Sequence, residues 1–155
     1  MRNKAQPFTT RQSMQSRKFE IFYYRDKKPS SVGVHHHDFY EVYFFMKGDV
    51  NFRVEGQNYC LQPGDLLLIS PQELHRAQVD LKSQYERIVL WLDRNYLMNL
   101  GDGEENFVSC FSSCAAKRNN LIRPDKLQRA QLQNILEKPN STGIRKETCC
   151  THKAF

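Results

Sequence analysis

The segment His35-His36-His37-Asp38-Phe39-Tyr40-Glu41 places two imidazoles and a carboxylate on one side of an extended backbone, because strand residues of one parity share a face. His35, His37 and Glu41 have that parity, and a continuous strand would add Phe39, Tyr43 and Phe45 to the row. Polar groups set among rings have the composition of a pocket wall. His36, of opposite parity, should point outward. Downstream, after the apolar run 66–69, His75 stands near the start of another strand, where it can face the same interior. Three histidines and one glutamate suit a divalent first-row metal such as Fe, Mn, Ni or Zn, with positions left open for a substrate. The same groups can hydrogen-bond the hydroxyls or carboxylate of a small molecule, or pair with one another. Glu41 and the rings could also simply fill a small barrel.

These side chains need a sheet to position them, and the surrounding sequence supplies one. Residues 19–24, 39–47, 50–55, 57–61, 66–69, 73–79 and 85–92 are short runs rich in Val, Ile, Phe and Tyr, separated by turn residues. Lys47-Gly48-Asp49 and Glu55-Gly56-Gln57 place glycine where a tight hairpin needs positive φ, and Pro63-Gly64-Asp65 pairs a fixed φ with a permissive one. Neighbouring strands should therefore pair antiparallel. Seven such strands suggest an all-β jelly-roll barrel, whose closure removes exposed edges.

After Trp91 the pattern changes. Asp93 can cap a short helix through Leu97 and Leu100, and Pro124 and Asp125 open a second over 125–138. In that helix Leu127 and Ile135 share a face that Leu132 and Leu136 extend, while Lys126, Arg129 and Glu137 face solvent. The stripe suits either the outside of its own barrel or the same helix in a second copy. From Pro139 onward no period is left, so residues 139–155 read as an unstructured tail, possibly out of frame, and residues 1–18 read as a flexible arm.

A chain of 155 residues has room for one domain with a real core. No run approaches the roughly 20 apolar residues of a membrane span, and the polar start lacks a secretory leader's apolar stretch. A cytoplasmic location with no membrane partner is expected. The five cysteines, at 60, 110, 114, 149 and 150, make no disulfide framework and should stay thiols. The net charge of +6 lies in the ends: residues 1–28 carry eight basic residues against two acids, 29–110 six against twelve, and 111–155 nine against three. The barrel segment is acidic, unlike a surface that meets phosphates.

His35-x-His37-x-x-x-Glu41 with Gly48 resembles the first cupin motif, and Gly64-Asp65 followed by Ser70-Pro71-Gln72-Glu73-Leu74-His75 resembles the second. Ser70, Gln72 and Val79 stand where that pattern favours Pro, Gly and Asn, and Pro29 where it begins with Gly. More narrowly, His37-Asp38-Phe39-Tyr40-Glu41-Val42 and residues 61–69 resemble the sensor domain of AraC-type bacterial transcription regulators, over about residues 19–136.

This resemblance implies a cupin-type double-stranded β-helix barrel over 19–100, followed by one or two helices in a dimerisation segment over 101–138. It implies a small-molecule effector, a sugar or related compound, and a homodimer formed through Leu127, Leu132, Ile135 and Leu136. His35, His37, Glu41 and His75 become pocket-wall residues, and Tyr43 and Trp91 can stack on an apolar ligand face. Neither a catalytic residue nor a required cofactor is expected, although the four polar residues would be the ligands of a divalent metal if one bound. DNA would be met only through a helix-turn-helix domain that this chain lacks, so a truncated, frameshifted or partial reading frame is expected. The competing expectation is a stand-alone metal-dependent cupin enzyme of isomerase or dioxygenase type.

Overall fold

The computed structural model describes residues 5, 8, 11–101 and 106–137, and the expectations for residues 139–155 lie outside them. The described elements run β1 (Phe19–Asp26), β2 (Tyr40–Lys47), β3 (Val50–Val54), β4 (Gln57–Cys60), β5 (Leu66–Ile69), β6 (His75–Val79), β7 (Tyr85–Leu92), α1 (Arg94–Met98), α2 (Val108–Ala116), β8 (Leu121–Ile122) and α3 (Lys126–Glu137). One sheet has the order β1-β7-β2-β5-β8 and the facing sheet the order β4-β3-β6, and every pairing is antiparallel. This is the cupin-type jelly roll.

Alternation along the strands builds the core. Tyr43, Phe45, Leu67, Ile69, Val89 and Trp91 point inward from the larger sheet and meet Val50, Phe52, Val54 and Tyr59. Residues of the other parity are buried too, because the helices cover the outer face of that sheet. Tyr40 and Leu68 pack with Leu97 of α1 and Phe111 of α2, while Phe44, Leu66 and Ile88 lie beneath Leu132 and Leu136 of α3. A strand covered on both sides needs no polar alternation, which accounts for Leu-Leu-Leu-Ile in β5.

The turn Lys47-Gly48-Asp49 departs from its expected hairpin. It joins strands of different sheets, because β2 already has β5 and β7 on its two edges and has none left for β3. Gly48 is still needed there: its φ is 134°, and a Cβ would lie 3.2 Å from the Gln84 carbonyl oxygen. Glu55-Gly56 is a true hairpin turn, with φ of 45° and 84° at its two residues and Val54 paired with Gln57.

Asp93 caps α1 as expected, its carboxylate accepting from the Tyr96 amide at 3.0 Å. Helix α2 was not legible. Val-Ser-Cys-Phe-Ser-Ser-Cys-Ala-Ala is a mediocre helix former, and it is fixed by burial of Phe111 against Tyr40, with ring centroids 4.7 Å apart. The apolar stripe of α3 is divided. Leu132 and Leu136 pack on the barrel, whereas Leu127 and Ile135 are 69% and 66% exposed. Arg129, expected to face solvent, is half-buried and lies over Gly64.

Behind the barrel the connection from α2 to α3 is tied down by polar contacts. Asn120 donates from Nδ2 to the Leu68 carbonyl at 2.8 Å and to the Glu73 carboxylate at 3.0 Å, and its amide donates to the Tyr59 hydroxyl. Arg123 forks onto buried Asp65 with two contacts of 2.8 Å. No helix of the described residues is long and apolar enough to cross a membrane, and Cys60, Cys110 and Cys114 are free thiols.

Candidate functional site

The site is held together by backbone bonds between two distant segments. His35 and His75 exchange amide-to-carbonyl bonds of 3.1 and 2.9 Å, and the Gln72 amide donates to the His37 carbonyl at 2.8 Å. The extended row expected from His35 onward is not a continuous strand, since β2 begins only at Tyr40 and His35 forms an isolated bridge. Convergence is achieved by the bridge instead. His35 and His75 rings lie 4.3 Å apart, His37 and His75 rings 4.9 Å, and His37 stacks on Phe39 at 3.9 Å. His36 is exposed, as its parity requires.

All three histidines are oriented alike. Nδ1 of His35 lies 2.9 Å from the Gly33 carbonyl oxygen, that of His37 2.9 Å from the Phe39 carbonyl, and that of His75 2.8 Å from the Glu73 carbonyl. A carbonyl oxygen only accepts, so Nδ1 is the donor in each case and a neutral ring presents a bare lone pair at Nε2. Burial keeps His75 neutral, lowering its pKa to about 4. Nε2 of His37 and Nε2 of His75 are buried with no hydrogen-bond partner among the described residues. His37 Nε2 is 3.2 Å from Glu41 Oε2, close but without hydrogen-bond alignment. Burial alone would raise the Glu41 carboxyl. The Trp91 indole, which donates to Oε2 at 2.9 Å, and the polar groups around the carboxylate outweigh it and hold the group below its ordinary value.

His37, Glu41 and His75 offer ligand atoms that all lie within 4.8 Å of one another. Two imidazole nitrogens and a carboxylate oxygen, with the His35 ring beside them, make a donor set that fits a divalent first-row ion. The same atoms would accept hydrogen bonds from a ligand's hydroxyl or amine.

Beyond this corner the barrel interior opens into a cavity of about 70 Å³, lined in part by His35, Glu41, Tyr43, His75 and Trp91. Tyr43 is not a bare stacking surface: its hydroxyl is bonded to that of Tyr85, whose pKa burial pushes up to about 12. At the opposite end Arg87, only 4% exposed, is paired with Asp26 and lies over the rings of Tyr85, Tyr24 and Phe8 at 4.0, 4.7 and 5.0 Å. Phe8, Arg11 and Gln12 bring the N-terminal residues onto the cavity wall, and Arg11 pairs with Glu20 while lying 5.3 Å over Trp91. Sequence reading missed Arg87, Asp26 and the arm. Arg87 was within reach, because it shares the parity of Trp91 on β7.

A family model described as the AraC-like ligand binding domain matches residues 19–138. An HTH-type transcriptional regulator of Bacillus subtilis strain 168, YbfI, is 39% identical over 44 residues, which are 28% of this chain and 16% of that relative's length. A Cupin 2 conserved barrel domain protein from Salinispora arenicola CNS-205 is 20% identical, covering 73% of this chain and 81% of its own with a TM-score of 0.45. A cupin superfamily protein from Desulfitobacterium hafniense DCB-2 is 19% identical, covering 52% and 72%, also with a TM-score of 0.45.

Proposed function

The chain belongs to the AraC-like ligand binding domain family, and on that premise we propose that it is the effector-sensing and dimerisation module of a transcription regulator, binding its ligand without transforming it. The observation that carries this reading is the meeting of Glu41 and His75 on the cavity wall, where the buried Nε2 of His75 has no hydrogen-bond partner among the described residues. Buried lone pairs without partners are costly, and a ligand that supplies donors removes the cost. A sugar or related polyol would donate hydroxyls to these atoms and lay its C–H face on Trp91.

The output follows from what surrounds the cavity. Phe8 and Arg11 touch its wall and helix α3 rests on the other face of the same sheet. An effector that binds one arrangement of arm, barrel and helix more tightly shifts the population toward it. Exposed Leu127 and Ile135 are the surface through which two copies would pair. DNA would be read by a helix-turn-helix domain outside these residues, in the cytoplasm. A thermal-shift screen with neutral sugars and sugar acids tests the reading, since a ligand at 100 times its Kd adds about 2.7 kcal/mol to the folded state. A saturable rise with at least one compound is expected, and a flat melting temperature across the panel would overturn it.

One observation favours a second reading. The convergence of His37, Glu41 and His75 would hold a divalent metal in a stand-alone cupin enzyme of isomerase or dioxygenase type, and such an ion would supply Lewis-acid polarisation of a bound oxygen. Metal analysis of protein purified without chelator separates the two: full occupancy favours the enzyme, and a metal-free, ligand-responsive protein favours the sensor.

A further inference from the structure

The cavity has two chemically opposite ends. On β7, Trp91 is paired in register with Glu41 and Arg87 with Phe45, so the corner holding Glu41 and the three histidines is separated from Arg87 by four residues, about 13 Å of strand. The first end holds the Glu41 carboxylate, which only accepts, beside the rings of His35 and His75. The second is a guanidinium, whose five donors form a planar fork. Asp26 engages Nη1 and is the one acceptor that Arg87 has among the described residues. Its guanidinium also lies over the ring faces of Tyr85, Tyr24 and Phe8, which offer no in-plane acceptor.

Resting on the effector reading above, we propose that the pocket selects an organic acid, whose carboxylate takes the open edge of Arg87 and whose far end carries a hydroxyl or amine that donates to Glu41 and to Nε2 of His75. The reversed orientation is opposed by charge, since a carboxylate at the histidine corner would meet the Glu41 carboxylate. A neutral polyol satisfies the corner but brings no charge to the open edge of Arg87. Selectivity arises from position and not from net charge, because the cavity's Arg11 and Arg87 are balanced by Asp26 and Glu41.

Matched probe pairs test this by calorimetry on the whole chain: D-galacturonate against D-galactose, and 4-hydroxybenzoate against 4-hydroxybenzyl alcohol. In at least one pair the acid should bind about tenfold tighter than its neutral partner, the scale of one charge-assisted hydrogen bond. Arg87→Gln should erase the difference. Asp26→Asn removes the competing carboxylate, so the acid should bind more tightly still and the preference for acid over neutral partner should widen, and this variant keeps the test decisive if Arg87→Gln does not fold. Neutral partners binding as tightly as the acids, or Asp26→Asn weakening the acid, would overturn the proposal and leave effector sensing intact. Silence from all four probes would overturn it as well, and the reading beneath it falls only if the thermal-shift panel is silent too.

Discussion

The indole Nε1 of Trp91 donates to Oε2 of Glu41 at 2.9 Å, across a β2–β7 register that sets the two residues directly opposite one another. The ring that would carry a ligand's apolar face thereby also fixes the carboxylate that would accept from it. Trp91→Phe keeps the aromatic surface and removes the donor. A hydrogen bond to a buried carboxylate contributes about 1.5–3 kcal/mol, so a loss of that size in denaturant unfolding is expected. Wild-type stability in the variant would show that the bond is incidental.

Gln72 has a φ of 71° in the bend that carries His75, a left-handed conformation that glycine adopts without strain. Its amide bond to His37 uses backbone alone and survives substitution. Gln72→Gly should therefore raise stability by about 0.5–1 kcal/mol, read as a higher denaturation midpoint. A lower midpoint would mean that the side chain matters in a way its backbone angle does not suggest.

Asn120 is buried behind the barrel and donates to both the Leu68 carbonyl and the Glu73 carboxylate. Asn120→Ala should cost about 1–3 kcal/mol, because Glu73 and Leu68 lose a donor where water is scarce. Asn119→Ala, at an exposed neighbour, should stay within about 0.5 kcal/mol. Equal effects at the two positions would contradict the assignment.

The two halves of the α3 stripe should separate experimentally. Leu132→Ala empties half-buried volume above Phe44, Leu66 and Ile88 and should lower stability by about 1–2 kcal/mol, less than the cost at a fully buried leucine. Leu127→Ser with Ile135→Ser touches nothing in the barrel, so melting of the dilute protein should hold while sedimentation shows weaker self-association. Unchanged sedimentation in the double variant would remove these residues from any dimer contact.

Period-2 alternation and turn chemistry were enough to read the barrel, because each is a local property of the chain; the meeting of His37, Glu41 and His75 was expected from parity and two motif spacings, whereas the structure makes it through the long-range bridge between His35 and His75. Three features were not readable. The change of sheet at Gly48 depends on which edges of β2 are already taken. Helix α2 exists because Phe111 finds Tyr40, a tertiary fact that its own weak propensity hides. Arg87 looked like one charge within an apolar strand, and only the arrival of Asp26 and three rings from other segments makes it a pocket wall. The stripe on α3 was visible, but dividing it into packed and exposed halves required knowing where the barrel lay.

The chain contains a single tryptophan, and it lines the cavity. Titrating the intrinsic fluorescence of Trp91 with whichever compound most raises the melting temperature therefore reads occupancy of the proposed site itself. A saturable change in intensity or wavelength is expected, with a midpoint equal to the calorimetric Kd and moved to higher concentration by Glu41→Gln. Stabilisation of the protein with no change in Trp91 emission would place the ligand elsewhere and contradict the account.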